Sequence, residues 1–277
     1  FYRPPPTPHC PAMATPQTLS PPAASLLESL RLRRVTPEET LAAATAVRGA
    51  AIRTPLVLLN HRRPDRPDLE IYLKLENLQP IGSFKVRGAA NAIAGVDPSD
   101  LEEKYGNLIV SASAGNMGQG VAGAARSLGV KCAVVVPDSA PANKLSAMER
   151  LGAEVIQVPY GRWWEIIMTG DASTEAGGRK HLFVHPVADA AVVAGNSTVG
   201  LEILEDLPDV DAVFCSWGGG GCASGIGSAL ANARERPGCF PSVSVDGARA
   251  GAKIEMISVE PATAAPLCYS FNNGRRV

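Results

Sequence analysis

Lys85 has the sequence surroundings of a reactive lysine. It follows a predicted strand and a turn that contains Pro80 and Gly82, and it begins a predicted helix. The partial positive charge at a helix N-terminus and the loss of water around the side chain both lower the pKa of an ammonium group. A lysine that is more often neutral can condense with an aldehyde, although an ordinary surface lysine fits the same local pattern.

A second candidate segment contains Asn116 and lies between a predicted strand and a predicted helix. It reads Ser-Ala-Ser-Ala-Gly-Asn-Met-Gly-Gln over residues 111–119. Backbone N–H groups at such a helix start bind anions, and the carboxylate of a substrate is a suitable ligand. Asn116 could also hydrogen-bond a ligand oxygen. The alternative is a close-packed turn between strand and helix.

Four consecutive glycines form a third candidate, the glycine segment (residues 218–221), which lies between a predicted strand and a predicted helix. Backbone without side chains can wrap a phosphate, and the helix dipole favours the anion. The lysine of a P-loop is missing, which argues against a nucleoside triphosphatase. A purely structural role is less favoured, because each glycine costs about 1 kcal/mol in a helix or strand.

These three segments need alternating strands and helices to position them. Short apolar strands between helices indicate parallel sheets that are covered on both faces. The residues Thr36, Pro37 and Glu39 form the pattern of a capped helix start. We predict strands at residues 56–59, 70–75, 107–112, 130–136, 154–158, 212–216 and 254–260, and helices at residues 37–47, 115–128, 142–151, 198–205 and 223–234.

The composition is that of a folded protein without a nucleic-acid or membrane partner. Of the 277 residues, 45% are hydrophobic, and the formal net charge is −1. Charges of both signs are mixed along the chain, which argues against a polyanion as partner. No apolar stretch reaches the ~20 residues that a membrane-spanning helix needs, and the N-terminus lacks the pattern of a signal peptide.

The six cysteines and four histidines do not form a metal-binding pattern. The cysteines are not spaced as CxxC, and the histidines are too scattered for a zinc site. Reduced thiols that act as small hydrophobic side chains are the simplest interpretation, and they indicate a reducing compartment. We therefore predict a cytoplasmic protein.

Together, the three segments resemble the fold-type II enzymes that depend on pyridoxal 5'-phosphate (PLP). The sequence ENLQPIGSFKVRGAAN, which contains Lys85, is followed by SAGN and later by GGGG. Within this group, the chain is most similar to the serine/threonine dehydratases, which include serine racemase and threo-3-hydroxyaspartate ammonia-lyase. The resemblance extends over about residues 51–267.

The resemblance implies an α/β fold with two domains, built on open twisted parallel sheets of the tryptophan synthase β-like kind. The large, PLP-binding domain would combine residues 36–100 and 186–277, and residues 105–180 would form the small domain. From composition and patterning, we expect residues 1–35 to be a mobile arm and residues 237–251 to be an unpatterned loop. The family also implies a homodimer.

The resemblance also implies a role for each candidate residue. Lys85 would carry PLP as a Schiff base, and it would then remove the Cα proton of the amino acid. The residues implied in binding the cofactor are Phe84, Lys85, Asn116, Gly218, Gly219, Gly220, Gly221 and Cys222, and those implied around the substrate carboxylate are Ser113, Ala114, Gly115 and Met117. Arg87 and His185 are expected to be structural. The implied reaction is α,β-elimination of a hydroxy amino acid, such as L-threonine or L-serine, to a 2-oxo acid and ammonia.

Two departures from the family pattern affect the expected reaction. Serine racemases carry a second serine where this chain has Ala114, so racemisation is disfavoured. Met117 stands where the family usually has histidine. Other PLP chemistry on the same fold, such as β-replacement, remains an alternative, and so does a truncated, non-catalytic paralogue.

Two further departures concern a metal site and the end of the chain. Glu260 matches the first acid of the divalent-metal site of some relatives, but Pro266 stands at the second position, so Mg²⁺ is only weakly indicated. Family chains continue to a strand and a loop beside the pyridine nitrogen. The fold is therefore expected to be C-terminally truncated, and the chain to bind PLP weakly or to be unstable.

Overall fold

The computed structural model describes residues 33–60, 63–243, 254–261, 265 and 267. The helices are α1 (Pro37–Ala46), α2 (Lys85–Ala94), α3 (Pro98–Glu103), α4 (Asn116–Ser127), α5 (Ala142–Arg150), α6 (Tyr160–Thr169), α7 (Ala190–Asp206) and α8 (Gly221–Glu235), with a 3-10 helix at Glu76–Leu78. The strands are β1 (Leu56–Leu58), β2 (Tyr72–Lys74), β3 (Leu108–Ala112), β4 (Lys131–Pro137), β5 (Glu154–Val158), β6 (Leu182–Phe183), β7 (Ala212–Ser216) and β8 (Glu255–Val259).

Helix α1 begins with the reciprocal cap that its sequence predicts. The Glu39 backbone N–H donates to Thr36 Oγ1 at 3.2 Å, and the Thr36 N–H donates to Glu39 Oε2 at 2.8 Å. Both groups would otherwise lack an intrahelical partner. Just before the cap, Val35 is 4% exposed, and its carbonyl accepts a hydrogen bond from Asn232 of α8.

A four-stranded parallel sheet has the order β5-β4-β3-β6. Every residue of β3 is buried, and so is every residue of β4 after Lys131. Strands of this kind form continuous apolar runs because helices cover both faces of the sheet. The prediction of parallel sheets is confirmed here. Strands β3, β4 and β5 lie within the residues assigned to the small domain, whereas β6 lies just beyond its predicted end at residue 180. The proposed division into domains remains a prediction.

Strands β7 and β8 form a second, two-stranded parallel sheet. Helix α8 follows β7 through the glycine segment, and residues of both strands pack with α7 and α8 in one apolar cluster. Strands β1 and β2 pair separately as an antiparallel ribbon. Ligands of open α/β sheets bind beyond the carboxyl ends of parallel strands. The glycine segment lies at such an end.

Helices α2, α7 and α8 approach one another closely through glycines. A Cβ at Gly195 of α7 would lie 2.4 Å from the Arg87 carbonyl oxygen of α2. A Cβ at Gly225 of α8 would lie 2.7 Å from the Val193 carbonyl oxygen of α7. Real side chains cannot occupy such space without moving the backbone. These contacts pack α2, which begins at Lys85, and α8, which begins in the glycine segment, against the same helix, α7.

Sequence patterns missed some helical residues. Helix α7 begins at Ala190, well before the predicted residue 198, because the Asp189 carboxylate caps it by accepting the Ala191 N–H at 2.8 Å. Helix α6 was not predicted. Residues 237–243 contain no helix or strand, as expected for a loop, and residues 244–251 of that loop lie outside the described residues. None of the described helices has the length and apolar character to cross a membrane.

Candidate active site

Lys85 is the first residue of α2 and lies against α4. A Cβ at Gly120 of α4 would be 3.0 Å from the Lys85 carbonyl carbon and 3.2 Å from its Cβ. The side chain is partly buried, and its Nζ lies 5.1 Å from the centroid of the Phe84 ring. Burial lowers the pKa of Lys85 below its ordinary value. The direction agrees with the sequence prediction, and desolvation is its physical cause.

Lys85 also lies close to the first turn of α8. Its ammonium group interacts electrostatically with the Cys222 thiol, an interaction that partly offsets the lowering of the Lys85 pKa by burial. Cys222 directly follows the glycine segment. The structure therefore brings the lysine and the glycine segment into one region, although 132 residues lie between Lys85 and Gly218 in the sequence.

The glycine segment forms an open start to α8. Gly220 is the N-cap residue with φ of 82°, a left-handed conformation that glycine adopts without strain, and no side chain caps the helix. A Cβ at Gly218 would meet nothing within 4 Å, and Gly218 is exposed. The N–H groups of an uncapped first turn, next to open space, suit an anion such as phosphate.

The other side of the glycine segment is closed by Val187. A Cβ at Gly219 would lie 2.3 Å from Val187 Cγ1. His185 holds this loop in place, because its Nδ1 accepts the N–H groups of Val187 at 3.2 Å and Ala188 at 2.9 Å. Its Nε2 contacts the Ile167 carbonyl at 3.0 Å, so the ring is neutral with Nε2 as donor. Burial lowers the pKa of His185, which favours this neutral form.

The segment around Asn116 forms the start of α4. Ser113, Ala114 and Gly115 are partly exposed, and Asn116 is exposed, with its Oδ1 accepting a hydrogen bond from Lys144 Nζ at 2.9 Å. The Met117 side chain is only 3% exposed and belongs to the core. Met117 can therefore offer a ligand its backbone N–H, while its thioether lies elsewhere. No side chain caps α4 either.

Asn196 is a candidate that sequence reasoning missed. It is 1% exposed, and neither Oδ1 nor Nδ2 has a hydrogen-bond partner among the described residues. A Cβ at Gly88 of α2 would lie 3.0 Å from its Oδ1, and a Cβ at Gly221 would lie 3.5 Å from its Nδ2. A buried amide without partners points to a ligand or a water. The sequence feature that could have identified Asn196 is its polar side chain among the small and apolar residues of α7.

Arg87, one turn beyond Phe84, has the structural role expected of it. Its guanidinium is buried and contacts Glu76 and Glu202 at 2.7 Å each, as well as Thr198 Oγ1 at 3.1 Å. Two carboxylates thus neutralise and hydrogen-bond the buried charge. Lys74 joins the same cluster through Glu202 at 2.6 Å. This cluster fixes α2, and with it Lys85, against α7 and the 3-10 helix.

Glu260, the weakly predicted metal ligand, follows β8. Its Oε1 accepts a hydrogen bond from the Leu267 N–H at 2.8 Å. Within the described ranges, no three His, Cys, Asp or Glu side chains form a group that could hold a metal ion. Pro266 lies outside the described residues. Mg²⁺ remains a prediction that rests on the sequence pattern alone.

A family model described as pyridoxal-phosphate dependent enzyme matches residues 47–277. The chain belongs to this family. Family membership implies PLP as the cofactor, and the residues present fit its phosphate and aldehyde. The uncapped glycine segment with open space at Gly218 suits the phosphate, and the partly desolvated amine of Lys85 lies in the same region. The predicted family is therefore confirmed.

Relatives within this PLP-dependent family are named as threonine ammonia-lyases. The chain is 47% identical over 163 residues to the L-threonine ammonia-lyase of Thermotoga maritima, which covers 58% of the chain and 38% of the relative. It is 35% identical over 226 residues to the L-threonine ammonia-lyase of Geobacter sulfurreducens, with 82% of the chain and 50% of the relative covered. The chain thus spans half or less of the length of these relatives.

Solved structures of the PLP-dependent family share the fold of the chain. Serine racemase from Dictyostelium discoideum matches with a TM-score of 0.69 and 29% identity, covering 88% of this chain and 71% of the racemase. Threonine deaminase isoform 2 from Solanum lycopersicum matches with a TM-score of 0.68 and 29% identity, covering 87% of this chain and 60% of the deaminase. The predicted fold-type II class is confirmed.

Proposed function

We propose that the protein is a PLP-dependent ammonia-lyase that converts L-threonine or L-serine to a 2-oxo acid and ammonia. One observation carries this proposal: the partly desolvated amine of Lys85 lies beside an uncapped helix start formed by the glycine segment. The names of the two ammonia-lyase relatives support the same reaction.

The proposed mechanism assigns each group of this chain a task. PLP, when bound, delocalises the electron pair that is left once the Cα proton of the amino acid has been removed. Lys85 Nζ would hold the aldehyde of the cofactor, and it would take the Cα proton of the amino acid. The lowered pKa of Lys85 increases the neutral fraction that both tasks require.

The backbone supplies most of the proposed binding contacts. The N–H groups of the glycine segment and of Cys222 would bind the phosphate, and the start of α4 from Ser113 to Met117 would bind the substrate carboxylate. Phe84 would pack against the cofactor ring, and Asn116 would hydrogen-bond the hydroxyl group of the cofactor. The buried amide of Asn196 donates towards the phosphate end of the site, next to Gly221.

The proposal is tested with purified protein and added PLP. Borohydride reduction followed by peptide mapping should find the cofactor on Lys85. Ammonia and a 2-oxo acid should then form from threonine, serine or 3-hydroxyaspartate without a second substrate. A cofactor adduct without any 2-oxo acid would favour β-replacement chemistry, and the absence of an adduct would favour a non-catalytic paralogue.

Gly218→Ala should weaken cofactor binding while leaving the fold intact. The new Cβ meets no protein atom within 4 Å, but it enters the open space beside the proposed phosphate. We expect the dissociation constant of PLP to rise by roughly tenfold, about 1.4 kcal/mol, with an unchanged melting temperature in the absence of PLP. Fluorescence titration and thermal unfolding measure the two quantities.

Gly219→Ala is the matched control for this experiment. Its Cβ would clash with Val187, so that variant should lose thermal stability even without PLP. Unchanged PLP affinity in Gly218→Ala would contradict the proposal that this segment binds the phosphate.

Racemisation is the second candidate activity, because a serine racemase shares the fold at a TM-score of 0.69. Ala114 stands in a partly exposed position between β3 and α4, and its methyl group cannot transfer a proton. We expect Ala114→Ser to raise racemisation of serine relative to elimination. Chiral analysis of serine after incubation measures this ratio, and an unchanged yield of D-serine would contradict the expectation.

Assembly and location also belong to the proposal. We infer a homodimer and a cytoplasmic location, the first from the resemblance to the family and the second from the free thiols of the described cysteines. Analytical ultracentrifugation of the holoprotein tests the dimer. A monomer at all concentrations would contradict it.

A further inference from the structure

Asn196 lies where helices α2, α7 and α8 approach one another, and its two amide atoms face different helices. On the side of α2, a Cβ at Gly88, one turn after Lys85, would lie 3.0 Å from Oδ1. On the side of α8, a Cβ at Gly221 would lie 3.5 Å from Nδ2. The acceptor end of the amide therefore faces the helix of the lysine, and the donor end faces the glycine segment.

This amide differs from its buried polar neighbours because neither of its ends has a hydrogen-bond partner among the described residues. The next two residues of α7 are also buried and polar, but their hydroxyl groups have partners. Ser197 Oγ donates to the Ala194 carbonyl at 2.6 Å. Thr198 Oγ1 donates to the Gly195 carbonyl at 2.7 Å. A buried polar atom without a partner costs free energy, so the amide is arranged for a partner that the described residues do not supply.

The donor atom of Asn196 lies beside the open end of α8. The Cα–Cβ bond of a helical residue tilts towards the helix N-terminus. Gly221 is the first residue of α8, so its Cβ position, and with it the nearby Nδ2, lies on the side of the unpaired N–H groups. No side chain caps this turn. A single ligand can therefore accept hydrogen bonds from the amide and from the helix start.

The chemistry around the glycine segment favours an anion as that ligand. The other side chains among the nearest neighbours of added Cβ atoms on these glycines present carbon atoms, and they belong to Val187, Val193 and Trp217. Among these neighbours, Asn196 is the side chain that presents a donor. The helix start attracts negative charge, and the oxygen end of the amide would repel it. The observed orientation, with Nδ2 towards the segment, is the one that an anion requires.

We propose that Asn196 makes the site selective for a cofactor that bears a phosphate group, because Nδ2 donates to a phosphate oxygen that the glycine segment also binds. This inference rests on the proposed function, which places the phosphate at this segment. The same ring without a phosphate group cannot use the contact. Because the amide is already buried in the ligand-free chain, its hydrogen bond forms without removing water from it, which favours binding.

The first test compares three ligands on the full chain: PLP, pyridoxal, which lacks the phosphate, and inorganic phosphate. Asn196→Leu keeps the branched shape of the side chain but has no donor. We expect the dissociation constants of PLP and inorganic phosphate to rise roughly tenfold, the effect of one hydrogen bond to a charged group. The dissociation constant of pyridoxal should not change. Isothermal titration measures all three.

Asn196→Ala is the second variant, in case leucine does not fit beside Gly88 and the chain fails to fold. It should lose selectivity for phosphate in the same direction. Unchanged affinities for PLP and phosphate in the folded variant would overturn the proposal. An equal loss of affinity for pyridoxal would also overturn it, because the whole site would then have changed shape. A wild-type protein that binds neither PLP nor inorganic phosphate would instead overturn the proposed function.

The second test needs no ligand and asks whether the amide of Asn196 supports the fold. Asn232 of α8 is the matched control, because it is 4% exposed and its Nδ2 donates to the Val35 carbonyl at 2.8 Å. Alanine removes the same atoms at both positions, but at Asn232 it also breaks this hydrogen bond. In the cofactor-free protein, Asn232→Ala should therefore lower the free energy of unfolding more than Asn196→Ala does.

The two asparagine variants should differ in the opposite sense in their binding. Asn232→Ala should leave the ratio of PLP affinity to pyridoxal affinity unchanged, whereas Asn196→Ala should lower it. Denaturant unfolding and the same titrations measure both properties. A loss of stability in Asn196→Ala as large as that in Asn232→Ala would show that the amide serves the fold, and it would overturn the proposal.

Discussion

Lys85→Ala is expected to abolish covalent attachment of PLP and to lower the rate of 2-oxo acid formation by about 10³-fold or more. Lys85 is the first residue of α2, and its amine interacts electrostatically with Cys222 in the first, uncapped turn of α8. Steady-state assays with L-threonine give the rate, and borohydride reduction followed by mass spectrometry reports the attachment.

Two arginine variants separate chemistry from charge. Lys85→Arg keeps a positive charge near Cys222 but cannot condense with an aldehyde, so it should be as inactive as Lys85→Ala. Lys104→Arg changes an exposed lysine at the end of α3 and should retain full activity. Residual covalent attachment in Lys85→Ala would show that another amine carries the cofactor.

The pH dependence of stability gives an independent test of the surroundings of Lys85. Burial lowers the pKa of Lys85 in the folded chain. Protonation of Lys85 therefore lowers the free energy of unfolding at pH values below the usual lysine pKa of about 10.4, and has no effect above it. Lys85→Met should therefore be no less stable than the cofactor-free protein at neutral pH. Any gain in stability should vanish as the pH rises past about 10.4.

Arg87→Met should lower the free energy of unfolding by about 3–5 kcal/mol, the largest effect that we expect on stability. The substitution keeps most of the side-chain volume but leaves the carboxylates of Glu76 and Glu202 without their buried counter-charge. Denaturant unfolding at pH 7 measures the change.

Arg66→Met is the matched control, because it removes an ion pair with Asp68 that is exposed on both sides. It should leave the unfolding midpoint unchanged. A loss in Arg87→Met no larger than that of Arg66→Met would contradict the role of the buried cluster.

The loss caused by Arg87→Met should also shrink in acid. Burial alone would raise the pKa of Glu76, but the hydrogen bonds and charge of Arg87 outweigh it, so the pKa is lowered. The wild-type contribution is therefore present above the unfolded pKa of Glu76 and is lost as the pH falls through the lowered, folded pKa. In the variant, protonation of the carboxylates relieves the unpaired charges. The two unfolding curves should converge at low pH.

Local sequence patterns predicted most elements near the site. The predicted bounds of β5 and β7 match the structure, and α1 begins at the predicted residue with the predicted cap. These elements depend on hydrophobic periodicity, turn residues and caps, which act over a few residues. Helix α6 was missed because its two tryptophans occur between a proline and a glycine without a polar cap residue, so the local start signals were absent.

The sequence by itself determined which residues we propose to react and to bind. Lys85 at a helix start and the four glycines after a strand are local features, and their order along the chain carried the resemblance to the family. What only the tertiary structure decided is which distant groups meet there. Asn196 of α7, for example, lies between Gly88 of α2 and Gly221 of α8.

The buried cluster of Arg87 shows the same division between sequence and structure. Its partners, Glu76 and Glu202, come from different elements, and sequence spacing alone gives no reason to pair them with Arg87. Contacts of this kind depend on how α2, α7 and α8 pack, and that packing is set by close approaches at Gly195 and Gly225. Local propensity acts within single elements, whereas these contacts form only when separate elements come together.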